Sequence, residues 1–212
     1  MLNINHLSDA AEYLAGFSAV IFDLDDTLYA EKDYVKSGYA EIAHHYPQID
    51  NMAQKLWAAF ENGKKAIDYV LSQESLFTPE NLAHCVALYR NHQPQITAYP
   101  QAMYLLNLLR AKNIGLGLIT DGRPEGQRAK IAALQLAPYF EKIIITDELG
   151  GISFRKPNPE AFIQMQRHFN VPFGQMVYVG DNPKKDFIAP EQLGMGAVYF
   201  KNPQGIYSGG AK

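Results

Sequence analysis

The feature that most constrains the fold is a series of short apolar segments. Each of them ends at a polar residue, a glycine or an aromatic residue. They are FSAVIFD (17–23), IGLGLIT (114–120), KIIIT (142–146), MVYVG (176–180) and GAVYF (196–200). Each segment is almost continuously apolar instead of alternating, which is typical of strands that are covered on both faces. We therefore predict that these segments form a parallel sheet.

Helical patterns separate the later strands. Residues 124–136 repeat apolar side chains three and four positions apart, and residues 158–169 place Pro159 at a first helical position. Residues 183–193 form a shorter pattern that Pro190 interrupts. Alternating strands and helices predict an α/β fold with an open, doubly wound parallel sheet and right-handed crossovers.

The interval between Tyr29 and Ile114 contains no convincing strand. Its helical patterns are residues 33–46, 51–60, 64–71, 78–90 and 101–112, and Thr78 is expected to cap the fourth. We therefore predict a core made of residues 1–30 and 98–212, with a small all-helical domain, residues 31–97, inserted after the first strand.

Composition limits the classes of function. The chain has 212 residues, 47% of them hydrophobic, and a formal net charge of −3. The sequence contains no basic block, so a nucleic-acid partner is not expected. No apolar run is long enough to predict a membrane span. Residues 1–17 lack the basic start of a signal peptide, so we expect a cytoplasmic protein. The single cysteine, Cys85, excludes an internal disulfide and is predicted to be a buried, inert thiol.

Acids and hydroxyls stand where the predicted strands end. They are Asp23 and Asp25, Thr120 and Asp121, Asp147 and Glu148, and Asp181. In a doubly wound sheet, ligands bind beyond the carboxyl ends of the strands, so we expect these groups at one edge. An acidic cluster needs a cation, and oxygen ligands without histidine or cysteine favour Mg²⁺.

The segment FDLDDTLY (22–29) places three carboxylates within four residues. If the chain stays extended, Asp23 and Asp25 point to one side and Asp26 points away. Two adjacent carboxylates can divide the work, one as a nucleophile and the other as a proton carrier. The alternative for this segment is a helix cap or an acidic turn.

The segment DLDDTL resembles the first motif of the haloacid dehalogenase superfamily of phosphohydrolases, D-x-D-x-T/V-L. The strand ending at Thr120 is similar to the second motif, Lys156 in RKPNPEAF to the third, and GDNPKKD, with Asp181 and Asp186, to the fourth. The resemblance covers about residues 17 to 200, and the helical insert is similar to the helical cap of that family. Asp121 and Gly122 follow Thr120 where many relatives have asparagine.

The resemblance implies a Mg²⁺-dependent phosphatase that acts through an aspartyl-phosphate. Asp23 would attack phosphorus, and Asp25 would protonate the departing alcohol and then activate water. The resemblance implies Mg²⁺ binding by the Asp23 and Asp181 carboxylates and the main-chain carbonyl of Asp25. Thr120, Asp121 and Lys156 would bind the phosphate, and Asp186 would orient Lys156 or a water bound to the metal.

Other polar residues receive weaker interpretations. Asp147 and Glu148 are expected to form a helix-start or loop pair, and Arg123 and Arg155 are candidates for substrate contact. A metal role is not expected for His44 and His45. The aromatic side chains of the insert are expected to form mostly its core, with one or two lining a substrate pocket; they are Tyr34, Tyr39, Tyr46, Trp57 and Phe60.

Several functions remain open. A phosphomutase of the β-phosphoglucomutase kind uses the same acids as a phosphatase. Asp25 argues against a haloalkanoate dehalogenase, because halide leaves without a proton. A non-enzymatic phospho-receiver or a scaffold is a more remote alternative. The expected partner is a small phosphorylated metabolite, a sugar phosphate or a nucleoside monophosphate, and the chain is expected to be a monomer or a dimer.

Overall fold

The sheet of this protein is fully parallel. The computed structural model describes residues Met1–Ile206. Its strands are β1 (Leu2–Ile4), β2 (Ala19–Phe22), β3 (Gly115–Thr120), β4 (Lys142–Ile145), β5 (Met176–Gly180) and β6 (Gly196–Phe200). They form one sheet in the order β1-β6-β5-β2-β3-β4. The predicted α/β fold class is confirmed, and each predicted strand is present, β5 and β6 with the predicted bounds and β2, β3 and β4 with slightly shorter ones.

The strand order places β2 in the interior of the sheet, between β3 and β5. Phe22 of β2 pairs with Leu118 of β3 on one side and with Val179 of β5 on the other. All four residues of β2 are buried, as are all five of β5, which accounts for their continuous apolar sequences. The carboxyl ends of β2, β3 and β5 therefore lie side by side.

The first strand was not predicted. Leu2–Ile4 pairs in parallel with β6, with Leu2 opposite Val198 and Ile4 opposite Phe200. A strand of three residues with one buried side chain carries too little periodicity to be recognised before its partner is known.

Apart from the first, which was not predicted, the helices follow the predicted patterns with shifted ends. They are α1 (Ala11–Leu14), α2 (Glu31–His45), α3 (Met52–Glu61), α4 (Ala66–Gln73), α5 (Pro79–Asn91), α6 (Pro100–Ala111), α7 (Pro124–Ala133), α8 (Glu160–Phe169) and α9 (Ile188–Gln192). Short 3₁₀ segments lie at Leu7–Ala10, Ala137–Tyr139, Thr146–Leu149, Ile152–Phe154 and Phe173–Gln175. Among the described residues, none of these helices combines the length and apolar character that crossing a bilayer requires.

Two helix starts differ from the prediction. Pro159 is the N-cap of α8 and not its first residue. The predicted helix over 183–193 is present only as α9, because residues 182–186 form a turn in which the Asp186 carboxylate accepts the Asn182 main-chain N–H at 2.9 Å. That side-chain bond competes with a helical start. Pro190 is compatible with the short helix, since the first helical N–H groups have no partner within the helix.

By contacts, the chain divides into two compact units. One is Met1–Glu31 together with the described residues from Thr97 onward, and the other is Lys32–Ile96. The insert expected from the sequence, residues 31–97, is one residue longer at each end.

The second unit is a small helical assembly. The predicted core role of the aromatic residues Tyr34 and Tyr39 agrees with their burial on α2, where Ile42 is buried as well. The predicted cap of α5 is confirmed, because the Thr78 hydroxyl accepts the main-chain N–H of Asn81 at 3.1 Å. Cys85 is fully buried, and burial raises the pKa of its thiol, which disfavours the reactive thiolate.

Candidate active site

Residues from separate elements meet at the carboxyl edge of the sheet. Asp23 directly follows β2, and its main-chain N–H extends the ladder to the Val179 carbonyl at 2.9 Å. Thr120 is the last residue of β3, and Asp181 follows the last residue of β5. Because β2 lies between β3 and β5, the fold brings these sequence-predicted residues to one region.

Lys156 reaches this region from the segment that precedes α8. Its ammonium lies 2.5 Å from a carboxylate oxygen of Asp23 and 2.9 Å from one of Asp186, and it donates to the Tyr178 hydroxyl at 2.8 Å. Burial alone would lower the pKa of Lys156, but the Asp186 and Asp23 carboxylates raise it well above its usual value. Lys156 is therefore a fixed positive charge beside Asp23.

Three carboxylates cluster around this lysine. Asp23, Asp181 and Asp186 each place an oxygen within 4.8 Å of the others. Burial raises the pKa of Asp23 to about 7, although Lys156 opposes the shift. Burial and the charges of Asp23 and Asp186 raise the pKa of Asp181 to about 9. The cluster resists full ionisation without further positive charge, and its hard oxygen donors suit a divalent cation.

Asp186 is oriented by the turn that follows β5. One of its oxygens accepts the Asn182 N–H, and the other makes an ionic contact with Lys156 that lacks hydrogen-bond geometry. A Cβ on Gly180 would lie 2.6 Å from the Asp186 carboxylate, so only glycine leaves room for this arrangement. These contacts suit a residue that holds Lys156.

Asp25 has a different set of partners from Asp23. Lys130 donates to its Oδ1 atom at 2.7 Å, the Tyr29 hydroxyl donates to the same atom, and Gln127 donates to Oδ2 at 3.0 Å. Burial alone would raise the pKa of Asp25, but Lys130 and these hydrogen bonds hold it below its usual value.

Asp26 organises the main chain. Its carboxylate accepts the main-chain N–H of Glu31, the first residue of α2, at 2.9 Å and that of Ile206 at 2.7 Å. Asn202 donates to its main-chain carbonyl at 2.7 Å. The helix-cap alternative for FDLDDTLY therefore applies to Asp26, which has a left-handed backbone with a φ of 54°.

Thr120 and Asp121 stand beside the acids. The Thr120 hydroxyl is buried and accepts a hydrogen bond from Gln127. The Asp121 carboxylate accepts from the Thr146 hydroxyl at 2.9 Å, from the Lys156 main-chain N–H at 3.1 Å and from the Lys185 ammonium at 3.0 Å. A phosphate contact by Asp121 would thus have to come from its main-chain N–H, because the side chain is an occupied acceptor.

The remaining acids at strand ends form ion pairs. Arg155 binds Asp147 through two hydrogen bonds of 2.7 Å, and Arg128 lies 2.6 Å from Glu148. Asp147 and Glu148 occupy the 3₁₀ segment after β4, as a loop pair would. Arg155 is thus already engaged by a carboxylate, while Arg123 is the N-cap residue of α7.

A family model described as haloacid dehalogenase-like hydrolase matches residues 20–200. This chain belongs to the haloacid dehalogenase-like hydrolases. The match contains every predicted site residue and ends at the last residue of β6.

Curated haloacid dehalogenase-like relatives include phosphatases. The chain is 29% identical over 197 residues to a glyceraldehyde 3-phosphate phosphatase of Pyrococcus abyssi, covering 86% of this chain and 80% of that one. It is 24% identical over 209 residues to the pyrimidine 5'-nucleotidase YjjG of Escherichia coli, covering 88% and 89%. A HAD-superfamily hydrolase structure from Geobacter sulfurreducens matches with a TM-score of 0.67 at 19% identity, covering 89% of each chain, which shows the shared fold.

Sequence reasoning missed several polar residues of this haloacid dehalogenase-like site. They are Tyr29, Gln127, Lys130, Tyr178 and Lys185. A signal existed for two of them, since Gln127 and Lys130 fall on the helical stripe of α7 that also contains the buried Ile131. A signal also existed for Tyr178, because a tyrosine within a wholly buried strand needs a partner for its hydroxyl.

Proposed function

We propose that this protein is a Mg²⁺-dependent phosphatase that hydrolyses a small phosphate monoester through an aspartyl-phosphate on Asp23. The observation that carries the proposal is the convergence of the Asp23 and Asp181 carboxylates with the Lys156 ammonium beyond the carboxyl ends of β2 and β5. Phosphoryl transfer depends mainly on positioning and on neutralising charge, and these groups supply both.

The residues present fit a divalent cation. The three clustered carboxylates face one buried ammonium, and burial together with the neighbouring carboxylates raises the pKa values of Asp23 and Asp181, so a bound cation would favour their ionised forms. Asp23 and Asp181 would hold Mg²⁺ together with the main-chain carbonyl of Asp25. When bound, the ion supplies charge that offsets the repulsion between a carboxylate and a phosphate dianion. Asp186 is better suited to orient Lys156.

The proposed reaction has two steps. A carboxylate oxygen of Asp23 forms a bond to phosphorus while the bond from phosphorus to the alcohol oxygen breaks, and the protonated form of Asp25 gives its proton to that oxygen. This form is the minor one in the free protein, because burial raises the pKa of Asp25 less than Lys130 and the neighbouring hydrogen bonds lower it. A water molecule then attacks phosphorus, Asp25 takes a proton from it, and the bond to Asp23 breaks. Lys156, Thr120 and the main-chain N–H of Asp121 would hold the other phosphoryl oxygens.

The proposed substrate is a small soluble ester, a sugar phosphate or a nucleoside monophosphate. The names of the relatives, a triose phosphate phosphatase and a pyrimidine 5'-nucleotidase, support this class. Glyceraldehyde 3-phosphate and pyrimidine 5'-monophosphates are therefore the first compounds to assay. We assign the choice among esters to the helical unit, Lys32–Ile96.

The test is phosphate release from a panel of phosphorylated metabolites by the full chain with Mg²⁺ or with excess chelator. We expect release only with Mg²⁺, and a loss of orders of magnitude in a folded Asp23→Asn variant, because an amide cannot attack. Near-normal turnover by that variant or in chelator contradicts the proposal. An isomerised phosphosugar in place of free phosphate would indicate a mutase, and a lasting phosphoprotein without turnover would indicate a receiver.

A further inference from the structure

The surroundings of Asp25 contain two polar side chains for which the reaction above has no role. Lys130 and Gln127 are 5% and 3% exposed, and both lie on α7, one helical turn apart. A lysine that is almost fully buried is costly unless a charged partner compensates it, and here the Asp25 carboxylate lies 2.7 Å away.

These donors approach different oxygens of one carboxylate. Lys130 and the Tyr29 hydroxyl donate to Oδ1 of Asp25, and Gln127 donates to Oδ2. The terminal torsion of an aspartate is broad, so a single donor leaves the carboxylate plane free to turn. Lys130 and Gln127 lie on one helix and reach one oxygen each, so together with Tyr29 they define that plane.

Gln127 also connects Asp25 to the proposed phosphate site. Its side-chain amide donates to the Thr120 hydroxyl as well as to Asp25. The Asp25 side chain is 20% exposed, whereas that of Lys130 is 7% exposed. The carboxylate is therefore the group that a substrate can reach, and the lysine acts behind it.

We propose that Lys130 and Gln127 are positioning residues that aim Asp25 at the leaving oxygen and so allow esters of weakly acidic alcohols to react. This inference rests on the proposed function, since it concerns the step in which the bond between phosphorus and the alcohol oxygen breaks. The proton passes from Asp25 to that oxygen. A leaving group that departs as a stable anion needs no such proton, so the two residues matter least for it.

The experiment measures kcat/KM of the full chain with Mg²⁺ for a series of substituted phenyl phosphates, which are similar in shape but differ in the acidity of the phenol. We expect Lys130→Met to lose about 100-fold on phenyl phosphate and less than about 5-fold on p-nitrophenyl phosphate, a steeper dependence on leaving-group pKa than in the wild type. Gln127→Met should steepen the dependence less, and Lys130→Arg should restore part of the loss.

The matched control is Arg128→Met, which removes a cation from the same helix at a side chain that is 65% exposed and pairs with Glu148. It should leave the dependence unchanged. A loss by the same factor on every ester, or none, in folded Lys130→Met overturns the inference. If that variant does not fold, an unchanged slope in both Gln127→Met and Lys130→Arg overturns it. A wild type that releases no phosphate from any ester refutes the proposed function itself, and the inference falls with it.

Discussion

Three aspartates that are neighbours in sequence have different surroundings in this protein. Asp23 contacts Lys156, Asp25 contacts Lys130, and Asp26 accepts main-chain N–H groups from Glu31 and Ile206. The repulsion of carboxylates so close in sequence is reduced because each has its own donors. The segment is thus part of the candidate active site and, through Asp26, also binds the first residue of α2.

At the residue scale, the contribution of charge pairing to stability can be measured at Asp121. Burial opposes its ionised form, but Lys156 and Lys185 lower the pKa of its carboxyl below the usual value. A lowered pKa in the folded state adds stability above the unfolded pKa, and that stability is lost as the pH falls through the folded value. We expect Asp121→Asn to lower the free energy of unfolding by about 1–3 kcal/mol at pH 7, and by less as the pH falls below about 4.

Urea unfolding of both proteins across this pH range checks the expectation. The control is Glu74→Gln, which breaks the more exposed pair between Lys55 and Glu74 and should cost less than about 1 kcal/mol. A deficit in Asp121→Asn that grows as the pH falls would contradict the assigned sign.

At the scale of elements, a turn that follows β6, outside the residues matched by the family model, forms hydrogen bonds with the loop after β2. The side-chain amide of Asn202 donates to the Asp26 carbonyl at 2.7 Å and to the Tyr99 hydroxyl at 3.0 Å. Ile206 donates to the Asp26 carboxylate, and the Tyr99 main-chain N–H donates to the Leu28 carbonyl at 2.8 Å. This turn, Asn202–Ile206, therefore joins both chain segments that lead to the helical unit, next to Asp25.

Asn202→Ala should destabilise the protein and misplace Asp25. The substitution removes three hydrogen bonds, two that the Asn202 amide donates and one that its oxygen accepts from the Gln204 main-chain N–H. Their loss is expected to cost about 1–3 kcal/mol, and a displaced proton carrier should lower kcat/KM about ten-fold. Thermal unfolding and steady-state assays measure the two effects. Gln204→Ala, an exposed side chain in the same turn, is the control and should change neither. Wild-type values for Asn202→Ala would show that the turn does not support the loop.

At the scale of the whole molecule, the acidic cluster links metal binding to stability. A cation that binds only the folded chain raises its stability by about 2.7 kcal/mol at a hundred times its dissociation constant. We therefore expect Mg²⁺ to raise the Tm of the wild type and to leave that of Asp181→Asn nearly unchanged. Calcium should also raise the Tm but inhibit turnover, because it accepts looser coordination. An unchanged wild-type Tm at millimolar Mg²⁺ would argue against the proposed ion site.

The helical unit should determine which esters react. Trp57 and Phe60 are half-buried aromatic residues of α3, so their removal should cost less stability than removal of the buried Tyr34. We expect Trp57→Ala and Phe60→Ala to change kcat/KM by different factors for a sugar phosphate and a nucleoside monophosphate. The Mg²⁺ requirement should remain. An identical factor on every ester would make this unit a support and not the selector.

The sequence predicted some elements better than others. Continuous apolar runs identified the buried strands β2 to β6, because burial on both faces dictates their composition. The same reasoning missed β1, which exists only by pairing with β6, and extended α9, whose start is prevented by the Asp186 side chain. Local sequence patterns therefore predict which segments are buried better than they predict which segments pair with each other.

By itself, the sequence determined the fold class and which strand ends carry acids. Both can be read from local patterns, since each strand, each helix and the residues that follow a strand are visible within a short stretch of the chain. Only the tertiary structure decided the partners of those acids. Lys130 and Gln127 lie far along the chain from Asp25, and Asn202 farther still from Asp26. Such pairings arise when separate elements pack, and the charges and hydrogen bonds they create set the pKa and orientation of each carboxylate.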